Sequence, residues 1–178
     1  MKKNNKRIRV LEITHGLAPG GIESFVLNVF ENIDRDKYEI NFAIACEGKQ
    51  FYEDRVLEQD GKIYRTCDLD SIRKIIKHFY RLIKLLKNEG PFDVVHSQID
   101  FFNGVNLLAA YIAGVPCRIS HLHNTNSAHA SSEKVSIFIK LYRFIMKNLI
   151  NIFSTEKLGC SKEANLYMYG EKILIKVK

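Results

Sequence analysis

The chain has 178 residues, 46% of them hydrophobic and 26% charged, enough to bury one substantial core without disulfide or metal staples. Its four cysteines, Cys46, Cys67, Cys117 and Cys160, form no Cys-x-x-Cys pair, which argues against a disulfide framework and for small core residues in a reducing compartment. No apolar run approaches ~18 residues and the basic start leads into no signal-peptide pattern. The formal charge of +7 comes without an RNA-recognition, helix-turn-helix or zinc-finger signature, so the expectation is a cytosolic protein that meets no nucleic acid. An anionic membrane face or a phosphorylated ligand accounts for the charge equally well.

Residues 7–14, rich in aliphatic and β-branched side chains, predict a first strand that ends at His15 and the loop Gly16-Leu17-Ala18-Pro19-Gly20-Gly21. Ile22, Phe25, Val26, Val29 and Phe30 then recur at helical spacing, so a helix starts at the glycines. The loop is not a Walker A sequence and lacks the third glycine of a dinucleotide fingerprint. It reads either as a tight turn or as a ligand loop, with the unpaired N–H groups of the helix start attracting anions.

A second strand (38–46), a short helix (51–59) with Val56 and Leu57 facing inward, and a third strand (62–67) follow. Residues 68–88 predict a regular amphipathic helix. Ile72, Ile75, Ile76, Phe79, Leu82, Ile83 and Leu86 share one face, and Arg73, Lys74, Lys77, Arg81, Lys84 and Lys87 the other. That basic face is either solvated or an interfacial surface for anionic lipid. Gly90-Pro91 stops the helix, and a fourth strand (92–97) opens on Gln98. A helix (101–113), a fifth strand (115–123) and a polar loop (124–132) come next. The helix at 134–153 is apolar on most sides, which predicts burial against the sheet or a partner. A sixth strand (155–160), a helix capped by Ser161 (162–168) and a seventh strand (172–178) complete the reading.

Strands alternating with crossover helices predict an α/β fold, a doubly wound, mostly parallel Rossmann-like sheet of about seven strands. Ligands of such sheets lie beyond the carboxyl ends of strands at a topological switch point. That rule gathers His15, Gly20 and Gly21 after strand one, Ser97 and Gln98 after strand four, and His121, His123 and Asn124 after strand five. His121 and His123 share a strand face, but spacing supplies no third ligand, so no metal site is expected.

Four segments in order, Gly20-Gly21-Ile22-Glu23, Phe92-Asp93-Val94-Val95-His96-Ser97, Gly114 to Asn124 and Gly159-Cys160-Ser161-Lys162-Glu163-Ala164, resemble the retaining glycosyltransferases of family 4. The resemblance runs from residue 8 to about residue 170 and is to the amino-terminal half of their GT-B fold. It is nearest to bacterial enzymes of exopolysaccharide or capsule synthesis. It implies an acceptor-binding domain, with His123 near the reacting sugar, His121 able to share that catalytic role, and the glycine loop contacting phosphate or acceptor groups. It implies a nucleotide-sugar donor as a substrate and no cofactor. The family's second domain carries two glutamates eight positions apart; such pairs here (Glu23 and Glu31, Glu31 and Glu39, Glu39 and Glu47, Glu163 and Glu171) fall on the wrong elements. The expectation is therefore one domain, 1–178, without the nucleotide-sugar domain: a truncated product, a fragment, or one subunit working with a separate donor-domain chain. Its acceptor would be a saccharide or a lipid-linked saccharide, met at the inner face of the plasma membrane. The alternative is a non-catalytic module that binds an acceptor or a membrane surface.

Overall fold

The structure is a computed structural model that describes residues 6–123 and 136–170. In chain order the elements are β1 (Ile8–Thr14), α1 (Gly21–Asn32), β2 (Tyr38–Ile44), α2 (Glu53–Leu57), β3 (Ile63–Arg65), α3 (Ile72–Asn88) and β4 (Val94–Ser97). A 3-10 turn (Asp100–Phe102) leads into α4 (Asn103–Ile112), β5 (Cys117–Leu122), α5 (Ile137–Phe153), β6 (Glu156–Gly159) and α6 (Lys162–Tyr169).

The six strands form one sheet in the order β3-β2-β1-β4-β5-β6, parallel at every pairing. The chain winds outward from β1 through β2 to β3, then returns through α3 to β4 on the other side of β1. That reversal makes β1 and β4 the switch point. The segment expected as a seventh strand, 172–178, lies outside the described residues.

Each face of the sheet has its own apolar layer, as a parallel sheet covered on both sides requires. Val10, Val94, Ile40, Phe42 and Ile44 pack with Val26, Leu27 and Phe30 of α1 and Val56 of α2. On the opposite face Leu11, Ile13 and Val95 pack with Leu82 and Leu86 of α3 and Ala109 and Ala110 of α4. Three serines start helices: the hydroxyls of Ser71, Ser136 and Ser161 accept from Lys74, Phe138 and Ala164 N–H groups, and each satisfies a donor the helix cannot.

Some inward assignments fail. Leu57 is exposed beside the buried Val56, because the five-residue α2 turns only Val56 and the Arg65-paired Glu53 inward. Ile72 is 70% exposed and Ile76 is exposed too, while the buried face of α3 runs through His78, Leu82 and Leu86. Helix α5, expected to be buried, departs further. Only Met146 and Ile150 are buried, and Phe138 is 79% exposed. The helix leans on α4, where a Cβ at Gly104 would come within 2.9 Å of the Met146 carbonyl oxygen, and α4 occupies the sheet on that side. Most of its apolar surface therefore faces outward. All four cysteines are free; Cys67 is buried, but Cys160 is exposed and is no core residue.

Candidate functional site

Side chains alternate across a strand, so residues two apart share a face. On the α1 face of the sheet this brings Glu12 of β1, His96 and Gln98 at the end of β4, and His121 and His123 at the end of β5 into one row. Glu12 and His96 are register partners. The Glu12 carboxylate, 4% exposed, lies 3.0 Å from His96 Nδ1 through Oε1 and accepts from the Gln98 amide through Oε2 at 2.6 Å. Beyond His96, its Nε2 lies 3.1 Å from His121 Nδ1. Beyond Gln98, its carbonyl oxygen lies 2.7 Å from His123 Nε2. One buried carboxylate thus supports two branches, each ending in an imidazole.

The row rises toward the carboxyl edge of the sheet, from buried Glu12 to half-exposed His123. Phe25 of α1 closes it from above, edge-on to His121 at 5.6 Å between ring centres and tilted against His123 at 5.9 Å. The Cys160 thiol donates to the His123 carbonyl and ties the end of β5 to β6. Burial, reinforced by the neighbouring His123 and His96 rings, holds the His121 pKa down at about 4. Burial also lowers that of His123, against the nearby carboxylates of Asp100, Glu23 and Glu12, which favour its charged form. Both imidazoles are neutral at pH 7.

His15 is exposed at the end of β1, and Gly20 and Gly21 begin α1 on the same rim. Nothing stands within 4 Å of a Cβ built at Gly21, whereas one at Gly20 would strike the Glu23 carboxylate. The helix start, where negative charge is favoured, is thus already attended by an acid of its own first turn. Gln98 joins the site as a buried link rather than a surface group. Ser97 does not join it: its side chain points to the other face, fully buried, donating to Asn103 Oδ1 at 2.7 Å and accepting from Asn106 at 2.9 Å. There it extends a second polar network in which His78 bridges Thr66 and Asn106. Asn124 lies outside the described residues.

Sequence reasoning missed Glu12, His96 and Phe25. A signal existed: Glu12 is the one acid in a mostly aliphatic strand that is covered on both faces, and His96 is two residues from Gln98 as His121 is from His123.

Of the six cations on α3, two are committed to the body. Lys74 pairs with Asp68 and Asp70, and Arg81 donates to the Thr66 carbonyl. Arg73, Lys77, Lys84 and Lys87 project outward. Among the described residues no three His, Cys, Asp or Glu are grouped to hold a metal ion, and no helix is long and apolar enough to cross a membrane.

The family model described as Glycosyltransferase Family 4 matches residues 19–155. The chain is 30% identical over 169 residues to the capsular polysaccharide biosynthesis glycosyltransferase CapH of Staphylococcus aureus, covering 95% of this chain and 45% of that protein. It is 26% identical over 181 residues to the UDP-Gal:alpha-D-GlcNAc-diphosphoundecaprenol alpha-1,3-galactosyltransferase of Escherichia coli, covering 98% and 46% respectively. Among solved structures, HepE of Anabaena in complex with UDP and glucose superposes with a TM-score of 0.64 at 14% identity, over 91% of this chain and 40% of that one. At that identity the likeness concerns the fold. The chain spans less than half the length of the curated relatives it matches.

Proposed function

The chain belongs to Glycosyltransferase Family 4, and on that premise we propose that its residues are the acceptor-side half of a transferase of polysaccharide biosynthesis. The enzyme would move a sugar from a nucleotide-sugar donor to a saccharide or lipid-linked acceptor. The observation that carries this reading is the row ending in His121 and His123, which opens at the carboxyl edge beside the switch point, where the fold rule puts a ligand. The names of the relatives agree: one builds a capsular polysaccharide, and one acts on a diphosphoundecaprenol-linked sugar.

The work of this half is positional and electrostatic. A neutral imidazole at His123, held by Gln98, would orient a hydroxyl or accept its hydrogen bond as the glycosidic bond forms, with His121 two residues behind it on β5. The nucleotide is expected to be held by a second domain of the kind that makes up the rest of the relatives' length. No cofactor enters the reaction. The test is a transfer assay with this chain joined to a related donor-binding half, His123→Ala being the informative variant. Acceptor binding without any transfer by the joined protein would instead favour a non-catalytic binding module.

The enzyme would work at the inner face of the plasma membrane. Helices α3, α4 and α5 lie side by side with α4 in the middle, and none of them carries an Asp or Glu. Arg73, Lys77, Lys84 and Lys87 point outward on α3 and Lys140 is exposed on α5, while Ile137, Phe138, Leu141, Phe144, Ile145 and Ile152 leave an apolar stripe outward on α5. An apolar stripe beside acid-free basic helices matches anionic lipid.

A further inference from the structure

We propose that Glu12 is the positioning residue of this site: it fixes the tautomers of His121 and His123 so that each presents a bare ring nitrogen. The site is then a receptor for hydroxyl donors and not for phosphate. The assignment of the ligand as a sugar rests on the functional reading above; the tautomers do not.

An ionised carboxylate only accepts hydrogen bonds, so both partners of Glu12 must donate. On Oε2 the donor is the Gln98 amide nitrogen at 2.6 Å, which turns the Gln98 carbonyl oxygen toward His123. That oxygen can only accept, so His123 carries its proton on Nε2 and its lone pair on Nδ1. On Oε1 the donor is His96 Nδ1 at 3.0 Å, and with a single proton on that ring its Nε2 is bare. His121 Nδ1, 3.1 Å away, must then donate to it, and the bare nitrogen of His121 is Nε2. The low pKa of His121 and the lowered one of His123 keep both rings in this neutral form.

Apart from the neighbouring His96 ring, the described charges that act on His123 are carboxylates. The carboxylates of Asp100, Glu23 and Glu12 act on His123, and none of the described side chains linked in the row is a lysine or arginine. The Glu23 carboxylate also lies against Gly20 at the start of α1. An anion placed here would face acids and the nitrogen lone pair of half-exposed His123, whereas a sugar hydroxyl would find an acceptor there, with buried His121 behind it. This favours acceptor or donor sugar hydroxyls over the phosphate that the glycine loop first suggests.

The test is nitrogen-15 NMR of the histidine rings in the intact chain at pH 8, where an imidazole of ordinary pKa is neutral. His121 is expected to be protonated on Nδ1 and His123 on Nε2. In Glu12→Gln the new amide offers one acceptor and one donor, so one branch must reverse. Either His123 moves its proton to Nδ1, or His121 moves its proton to Nε2. The opposite tautomers in the unsubstituted chain, or no reversal in the variant, would overturn the role of Glu12. If the variant does not fold, the tautomers of the unsubstituted chain decide alone. Sodium phosphate, titrated at constant ionic strength, is expected to leave both ring signals unmoved, and saturable shifts would overturn the ligand class. A transfer assay that fails while the tautomers stand would count against the functional reading and not against this one.

Discussion

Glu12 and Gln98 are 86 positions apart in the chain, yet on the adjacent strands β1 and β4 the Gln98 amide nitrogen comes within 2.6 Å of the Glu12 carboxylate. Gln98 is 2% exposed, and its other end holds His123. Its position in the core makes it a structural element of the site as well as a link to the ligand edge. Replacing it by leucine leaves one oxygen of a buried carboxylate without its donor and His123 without its acceptor. The expected cost is about 1–3 kcal/mol, read as a lower urea midpoint of Gln98→Leu at pH 7.5. An unchanged midpoint would mean that water or another group replaces the amide freely.

The histidines give stability a pH dependence. The folded pKa of His121 is about 4 against an ordinary 6.5, and burial also lowers that of His78. Between those values the unfolded chain binds more protons than the folded one. Stability therefore rises with pH through this window and is lost as pH falls from about 6.5 toward about 4. Each such imidazole supplies a slope of at most about 1.4 kcal/mol per pH unit. The urea midpoint should fall between pH 7 and pH 5, and His121→Asn should fall less steeply than the unsubstituted chain, with His78 and His123 supplying the remainder. A midpoint that does not move over this range would contradict the neutral state of these rings.

Vesicle co-sedimentation checks the membrane face. Binding is expected with anionic vesicles, weakening as salt rises. Lys77, Lys84 and Lys87 changed together to Gln should weaken it, as should Phe138→Ser with Phe144→Ser on α5. Lys74→Gln should matter less, because Asp68 and Asp70 already neutralise that cation. Equal binding to neutral vesicles, or no response to either set, would return these helices to ordinary solvated surface.

Much of this architecture is legible in the sequence because its signals are local. The aliphatic run before His15, the glycines after it and Ser161 before α6 each mark an element boundary, and the alternation of strands and helices dictates a parallel sheet. The convergence of His121, His123 and Gln98 follows from the fold rule without any contact being known. What stayed hidden depends on which face of a strand looks where. Ser97 and Gln98 are neighbours in sequence, but alternation sends one hydroxyl into the α4 layer and the other side chain toward α1. Glu12 reads as a mid-strand oddity until β4 is placed beside it. The exposure of α5 was hidden for the opposite reason: an apolar composition predicts burial, but α4 covers β4 and β5 on that side and leaves α5 only a narrow contact with the sheet, Ile150 against Leu122.

As proposed, this chain is the acceptor-side half of a transferase, with His123 at the reacting sugar. Joined to a related donor-binding half, it should transfer sugar from a nucleotide donor to a saccharide or lipid-linked acceptor, while the 178-residue chain alone should give none above the rate in buffer. In the joined protein His123→Ala should lower kcat by ~10²-fold or more with little change in Tm, and His121→Ala shows whether its neighbour shares the role. Near-normal turnover by both variants, or transfer by the chain alone, would contradict it.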